Sequence, residues 1–187
     1  MKRAVIIFTR VSRTGKDENQ DDASSFPVQC ARLHTCFLKD IVMECRNGGA
    51  DVFVSYTPEE GWKTLKNILG EVKGWIPQTG KHLGERMYGA MKEVLDQKYD
   101  SCLLIGADVP ELEVEILKKA FDVLETEDVV FWKTVDGGYL SDRNETACER
   151  RLFSLDTYGH GKVLEETVLK IESAGFSVGF TDTLSDI

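Results

Sequence analysis

Cys102-Leu103-Leu104-Ile105-Gly106-Ala107-Asp108-Val109-Pro110-Glu111-Leu112 decides the fold. Four apolar residues in succession, closed by a glycine, read as a strand buried on both faces, as in a parallel sheet covered by helices. Short strands and amphipathic stretches alternate outward from it in both directions. Residues 4–8 (AVIIF), 51–56 (DVFVSY), 72–76, 128–132 (DVVFW) and 176–180 predict further strands. Between the first two, Phe26, Cys30, Leu33, Phe37, Ile41 and Cys45 recur at three- or four-residue steps, predicting one helix face that Asn47-Gly48-Gly49 stops.

Pro58-Glu59-Glu60 opens a helix carrying Leu65, Ile68 and Leu69. Leu83, Met87, Met91, Val94 and Leu95 mark the next helix, and Ile116, Leu117, Ala120, Phe121 and Leu124 another. Val163, Leu164, Val168 and Ile171 mark the last, which Gly175 ends. The stretch from Ser12 to Ser25 reads as a polar loop, and a Gly-rich turn and a polar stretch follow the DVVFW strand. Strands separated by helices predict an α/β fold: one three-layer α/β/α domain over residues 1–187 with a mostly parallel sheet.

Composition removes several alternatives. With 187 residues, 42% hydrophobic and 29% charged, the chain matches soluble globular proteins rather than disordered ones. A net charge of −9, with no compact Lys/Arg cluster, disfavours nucleic acid as a partner. The apolar run after Met1-Lys2-Arg3 is shorter than the roughly 7–15 residues of a signal-peptide core. No stretch approaches the ~18 apolar residues of a membrane span. Cys30, Cys36, Cys45, Cys102 and Cys148 form no CxxC pair and fall mostly in apolar-patterned segments. They are expected to be reduced and mostly buried thiols, which together with the absent leader predicts a cytoplasmic protein.

In an open parallel sheet, ligands collect at the carboxyl ends of the strands, near a topological switch point. That rule selects three places. The first is residues 9–16, where two Arg, a Lys, a Gly and three hydroxyls leave a buried strand. Such a segment either cradles a phosphate or is a solvated basic loop. The GxxxxGK[ST] spacing of a P-loop is absent. The second is Asp108, held in a Gly/Pro-bounded turn past the central strand; it reads equally as a ligand of a divalent cation shared with phosphates or as a cap of the following helix. The third is Asp136-Gly137-Gly138-Tyr139, where paired glycines admit close approach of a ligand and Asp and Tyr can bond sugar hydroxyls. A plain Asp-Gly turn between strands fits those residues as well. His34, His82 and His160 have no HxxxH or HExxH spacing, so none is singled out as a metal ligand.

Taken together these pieces resemble a bacterial family of small GT-A-fold proteins, glycosyltransferase-like or nucleotide-diphospho-sugar-transferase-like. The resemblance runs through AVIIFTRVSRTGK, ADVFVSYTPEEG, LGERMYGAM, CLLIGADVPEL, DVVFWKTVDGGYL and the closing LSDI. It implies metal-dependent transfer of a glycosyl group from a nucleotide-diphosphate sugar to an acceptor that the sequence does not identify. It implies that Asp108 holds the divalent metal (Mg²⁺ or Mn²⁺) bridging the donor's phosphates, with Asp186 approaching the same ion. Thr9, Arg10, Gly15 and Lys16 would wrap the nucleotide end, and Gly84, Glu85 and Arg86 would lie near the nucleotide or phosphates. Asp136, as the catalytic candidate, would border the donor sugar and acceptor with Gly137, Gly138 and Tyr139.

One departure from that family bears on two alternatives. Asp17-Glu18-Asn19-Gln20-Asp21-Asp22 stands where that family usually carries a Lys-Thr-Arg-Leu-like run. A nucleotidyltransferase acting on an NTP is one alternative, though this acidic run weakens it. A catalytically degenerate GT-A domain kept as a binding module is the other, and the same run is its best support.

Overall fold

A computed structural model describes residues 1–11, 26–134, 141–142 and 163–184. In chain order the elements are β1 (Arg3–Arg10), α1 (Phe26–Asn47), β2 (Asp51–Thr57), a 3₁₀ turn (Glu59–Gly61), α2 (Trp62–Leu69), β3 (Gly74–Pro77) and α3 (Leu83–Leu95). They continue with β4 (Ser101–Gly106), α4 (Val114–Val123), β5 (Val129–Thr134), β6 (Ser141–Asp142), α5 (Val163–Ser173) and β7 (Val178–Leu184). The strands join one sheet in the order β3-β2-β1-β4-β6-β5-β7. All neighbours pair in parallel except β6, which runs antiparallel to both β4 and β5.

Side-chain alternation sorts the core into two layers. Val5, Ile7, Val52, Val54, Leu103 and Ile105 face α1, α2 and α4. Ala4, Ile6, Phe53, Cys102, Leu104 and Phe131 face α3 and α5. Because both faces are covered, β1 is buried from Ala4 to Ile7 and β4 from Ser101 to Ile105, as their apolar runs require. Gly74 opens β3 because the ring of Phe53 lies over it: a Cβ there would come within 2.7 Å of that ring.

The expected α/β architecture is what the structure shows, with three corrections. The stretch after β5 was expected to be a turn and polar segment, yet Ser141–Asp142 is a strand inserted between β4 and β5. Its two polar residues carry no periodicity that a sequence could announce. The strand expected over 72–76 is Gly74–Pro77. The third correction concerns the cysteines: Cys45 and Cys102 are buried, but Cys30 and Cys36 are exposed, as is half of Leu33. Cys148 lies outside the described residues.

Geometry explains that exposure. The 22-residue α1 is roughly 33 Å long, whereas the seven-residue β2 reaches only about 23 Å. The buried stripe therefore lies in the C-terminal half, at Leu38, Ile41, Val42 and Cys45. Burial, helped by the nearby charge of Glu44, pushes the Cys45 thiol up to about 12. The N-terminal half projects past the strands' carboxyl ends. Among the described residues no helix is long and apolar enough to cross a membrane.

Candidate functional site

The chain steps from β1 to β2 to β3 in one direction, then crosses to place β4 on the other side of β1. The switch point is thus between β1 and β4, where parallel sheets open a crevice at their carboxyl edge. A cleft of about 970 Å³ opens at this edge, over the ends of β1 and β2. Its walls come from Thr9, Arg10 and Val11 of β1 and its exit, His34 of α1, Gln78 just past β3, and Leu83 and Arg86 of α3.

Thr9 ties these walls together. It is 3% exposed, and its Oγ1 lies 3.3 Å from His34 Nε2. Its carbonyl accepts from Gln78 Nε2 at 3.0 Å, and the same nitrogen donates to the Ser55 carbonyl at 3.1 Å. Both amide hydrogens of Gln78 are thereby used on main chain, which fixes the amide and leaves Oε1 as the acceptor available to the cleft. The exit of β1 is held by the Val11 N–H on the Thr57 carbonyl, 2.8 Å. Val11 also seats on Gly61, where a Cβ would come within 2.4 Å of its side chain.

Arg10 is exposed at the rim. Arg86 is half-buried, and its Nε donates to the Gly80 carbonyl at 3.0 Å. Gly80 has φ +131°, and a Cβ there would meet Glu85 Cβ at 2.8 Å, so the turn lies against the first turn of α3 only as glycine. Glu85 Oε2 accepts the Lys81 N–H at 2.9 Å, and Gly84 is buried. The LGER segment therefore delivers Arg86 to the cleft while Glu85 braces the turn.

Asp108 stands two residues beyond β4, exposed. Its carboxylate folds back over Gly106, where an added Cβ would lie 2.4 Å from Oδ1. It does not cap the next helix, as one sequence reading allowed. The N-cap of α4 is Glu113, and the Val114 N–H is taken by Glu44 Oε2 from α1 at 3.1 Å. Across the switch point, Asp108 is felt by His34: burial lowers the His34 pKa, and the Asp108 charge acts in the opposite direction.

Of the expected residues, Thr9, Arg10 and Arg86 share one cleft, and Asp108 leaves the neighbouring strand. Gly15, Lys16, Asp136, Gly137, Gly138, Tyr139 and Asp186 lie outside the described residues. Among the described residues no cluster of three or more His, Cys, Asp or Glu could hold a metal by itself. An exposed carboxylate such as Asp108 still suits a hard divalent cation whose other ligands are phosphate oxygens and water. Two residues of the cleft were not singled out in the sequence: His34, considered there only as a metal ligand, and Gln78. Neither carries a local signal, because each joins the cleft through a crossover.

The family model described as "uncharacterized protein conserved in bacteria" (DUF2064) matches residues 42–153. A candidate nucleotide-diphospho-sugar transferase from Desulfovibrio desulfuricans G20 is similar over 100% of this chain and 83% of its own, with 26% identity and a TM-score of 0.86. CMP:2-keto-3-deoxy-manno-octonic acid synthetase complexed with CTP shares the fold at 10% identity and TM-score 0.60, over 99% of this chain and 90% of its own. Rv0371c from Mycobacterium tuberculosis H37Rv, in complex with manganese, does so at 13% identity and TM-score 0.58, over 100% and 91%. No curated protein matches the chain. The fold is GT-A-like, as the sequence resemblance implied.

Proposed function

The chain belongs to the DUF2064 family, and from that premise we propose that it is a nucleotide-dependent transferase which moves a glycosyl group from a nucleotide-diphosphate sugar with the help of a divalent metal. One observation carries this reading: a cleft at the β1 carboxyl end gathers Arg10, Arg86 and the fixed Gln78 amide, while Asp108 emerges from the adjacent strand across the switch point.

The roles follow from the chemistry of these groups. Arg10 and Arg86 offer forked N–H donors to phosphate oxygens, giving local positive charge in a protein of net charge −9. Gln78 Oε1 accepts an N–H from the base edge. Asp108 would hold Mg²⁺ or Mn²⁺, with Asp186 as a second proposed ligand. Such an ion, when bound, neutralises charge that develops on a departing diphosphate. Gly15 and Lys16 would extend the phosphate grip, and Gly84 would let α3 approach the ligand. Asp136, Gly137, Gly138 and Tyr139 would border the sugar and acceptor.

Nucleotidyl transfer from an NTP is the second reading. The fold shared with a CTP-bound synthetase supports it, and release of pyrophosphate distinguishes it from glycosyl transfer.

The test is a thermal-shift series with UDP-, GDP-, ADP- and dTDP-sugars and free NTPs, each with Mn²⁺, Mg²⁺ or EDTA. A ligand of the native state raises stability by RT ln(1 + [L]/Kd). The expected result is a metal-dependent rise with one base class that Asp108→Ala abolishes. Absence of any shift at millimolar ligand would overturn the transferase reading in favour of a degenerate module.

A further inference from the structure

The residues of the cleft divide by charge. Arg10 and Arg86 are cationic; Thr9, His34 and Gln78 form the neutral part. His34 is half-buried on the overhanging half of α1, and one ring nitrogen, Nε2, is engaged by the Thr9 hydroxyl at 3.3 Å. Nδ1 has no partner among the described residues.

Thr9 cannot follow the ring if it moves. Its side chain is 3% exposed and its carbonyl is held by Gln78. The contact thus holds an imidazole that lines the cleft against a rigid strand. Burial lowers its pKa, which favours the neutral ring and a directional hydrogen bond over charge.

We infer that His34 is a nucleotide-binding residue that meets the uncharged nucleoside part of the ligand, a ribose hydroxyl or a base edge, through the ring nitrogen Thr9 leaves free. This rests on the transferase reading above and adds a division of labour to it. The cations hold the phosphates, and His34, next to the fixed Gln78 amide, holds the nucleoside.

The experiment compares two probes that differ only in the part His34 is said to contact. Calorimetric Kd values are measured with Mn²⁺ for the nucleoside diphosphates UDP, CDP, ADP and GDP, and for inorganic diphosphate. For the nucleotide that wild type binds best, His34→Ala weakens binding about tenfold, the scale of one or two lost hydrogen bonds. Inorganic diphosphate stays within about twofold of wild type. Arg86→Ala weakens both probes, and His34→Gln, which can still bond Thr9, recovers part of the nucleotide affinity. Equal losses for both probes in His34→Ala would assign His34 a structural role and overturn the inference, as would an unchanged nucleotide Kd. If wild type binds diphosphate but gains nothing from the nucleoside, or binds no probe at all, the transferase reading falls and this inference with it.

Discussion

Thr9 Oγ1 and His34 Nε2 lie 3.3 Å apart, joining the second-last residue of β1 to the side of α1 across 25 positions of sequence. Thr9→Val keeps the shape of the side chain and removes the hydroxyl. The expected cost is about 1 kcal/mol, the net worth of one partly buried hydrogen bond. Urea unfolding should show a lower midpoint with an unchanged m-value. A midpoint equal to wild type would mean that the pair contributes nothing to stability.

Stability should rise with pH across the range just below 6.5. Burial depresses the His34 pKa below the ordinary histidine value of 6.5, so the unfolded chain binds this proton more readily than the native one. The contribution is therefore complete above about 6.5 and shrinks as pH falls from there toward the native pKa. His34→Gln should flatten that limb in a series of urea titrations between pH 5 and pH 7.5. The unaltered slope in the variant would assign the effect to another group.

Gly106→Ala tests how Asp108 is placed. The added Cβ would lie 2.4 Å from Asp108 Oδ1, so the exposed carboxylate must swing away while the strand stays put. Stability should change by less than about 1 kcal/mol. Metal-dependent nucleotide binding should fall nearly as far as in Asp108→Asn. That second variant also removes the charge that raises the His34 pKa, so proton NMR of its imidazole should report a further decrease.

At the opposite, amino pole of the sheet, the Tyr99 hydroxyl donates to Asp51 Oδ2 at 2.6 Å, and Lys73 adds a 3.4 Å ion pair. The Tyr99 bond, ahead of the lysine charges, holds the Asp51 pKa below its ordinary value. Tyr99→Phe should cost about 1 kcal/mol at pH 7, since the carboxylate is partly exposed and screened. The stabilisation is present above the unfolded pKa and is lost as pH falls through the native one, so the variant should lose less stability on acidification to pH 3. Equal losses in both proteins would count against the bond.

The sequence showed most of the framework because each long element carries its own period. The run from Cys102 to Ile105 read as a doubly covered strand, and Asp108 was found by applying the sheet-edge rule to it. The spacing from Phe37 to Cys45 likewise announced a helix, but not how far that helix outreaches its strands; hence the exposed Cys30 and Cys36. β6 has two residues and no pattern. The place of His34 and Gln78 in the cleft was not legible for another reason. A lone His on a helix and a Gln beyond a short strand mean little until β1 brings the Thr9 hydroxyl to one and the Thr9 carbonyl to the other.

The insertion of β6 has a mechanical consequence. Ser141 and Asp142 pair antiparallel to both β4 and β5, so among the described residues β6 separates a parallel slab, β3-β2-β1-β4, from the parallel pair β5-β7. Every described wall of the cleft, from Thr9 and His34 to Gln78 and Arg86, belongs to the slab built on β3, β2, β1 and β4. Amides of β5 and β7 should therefore exchange with solvent through a lower-energy opening than those of β1 and β4. Such an opening should leave the described cleft walls in place.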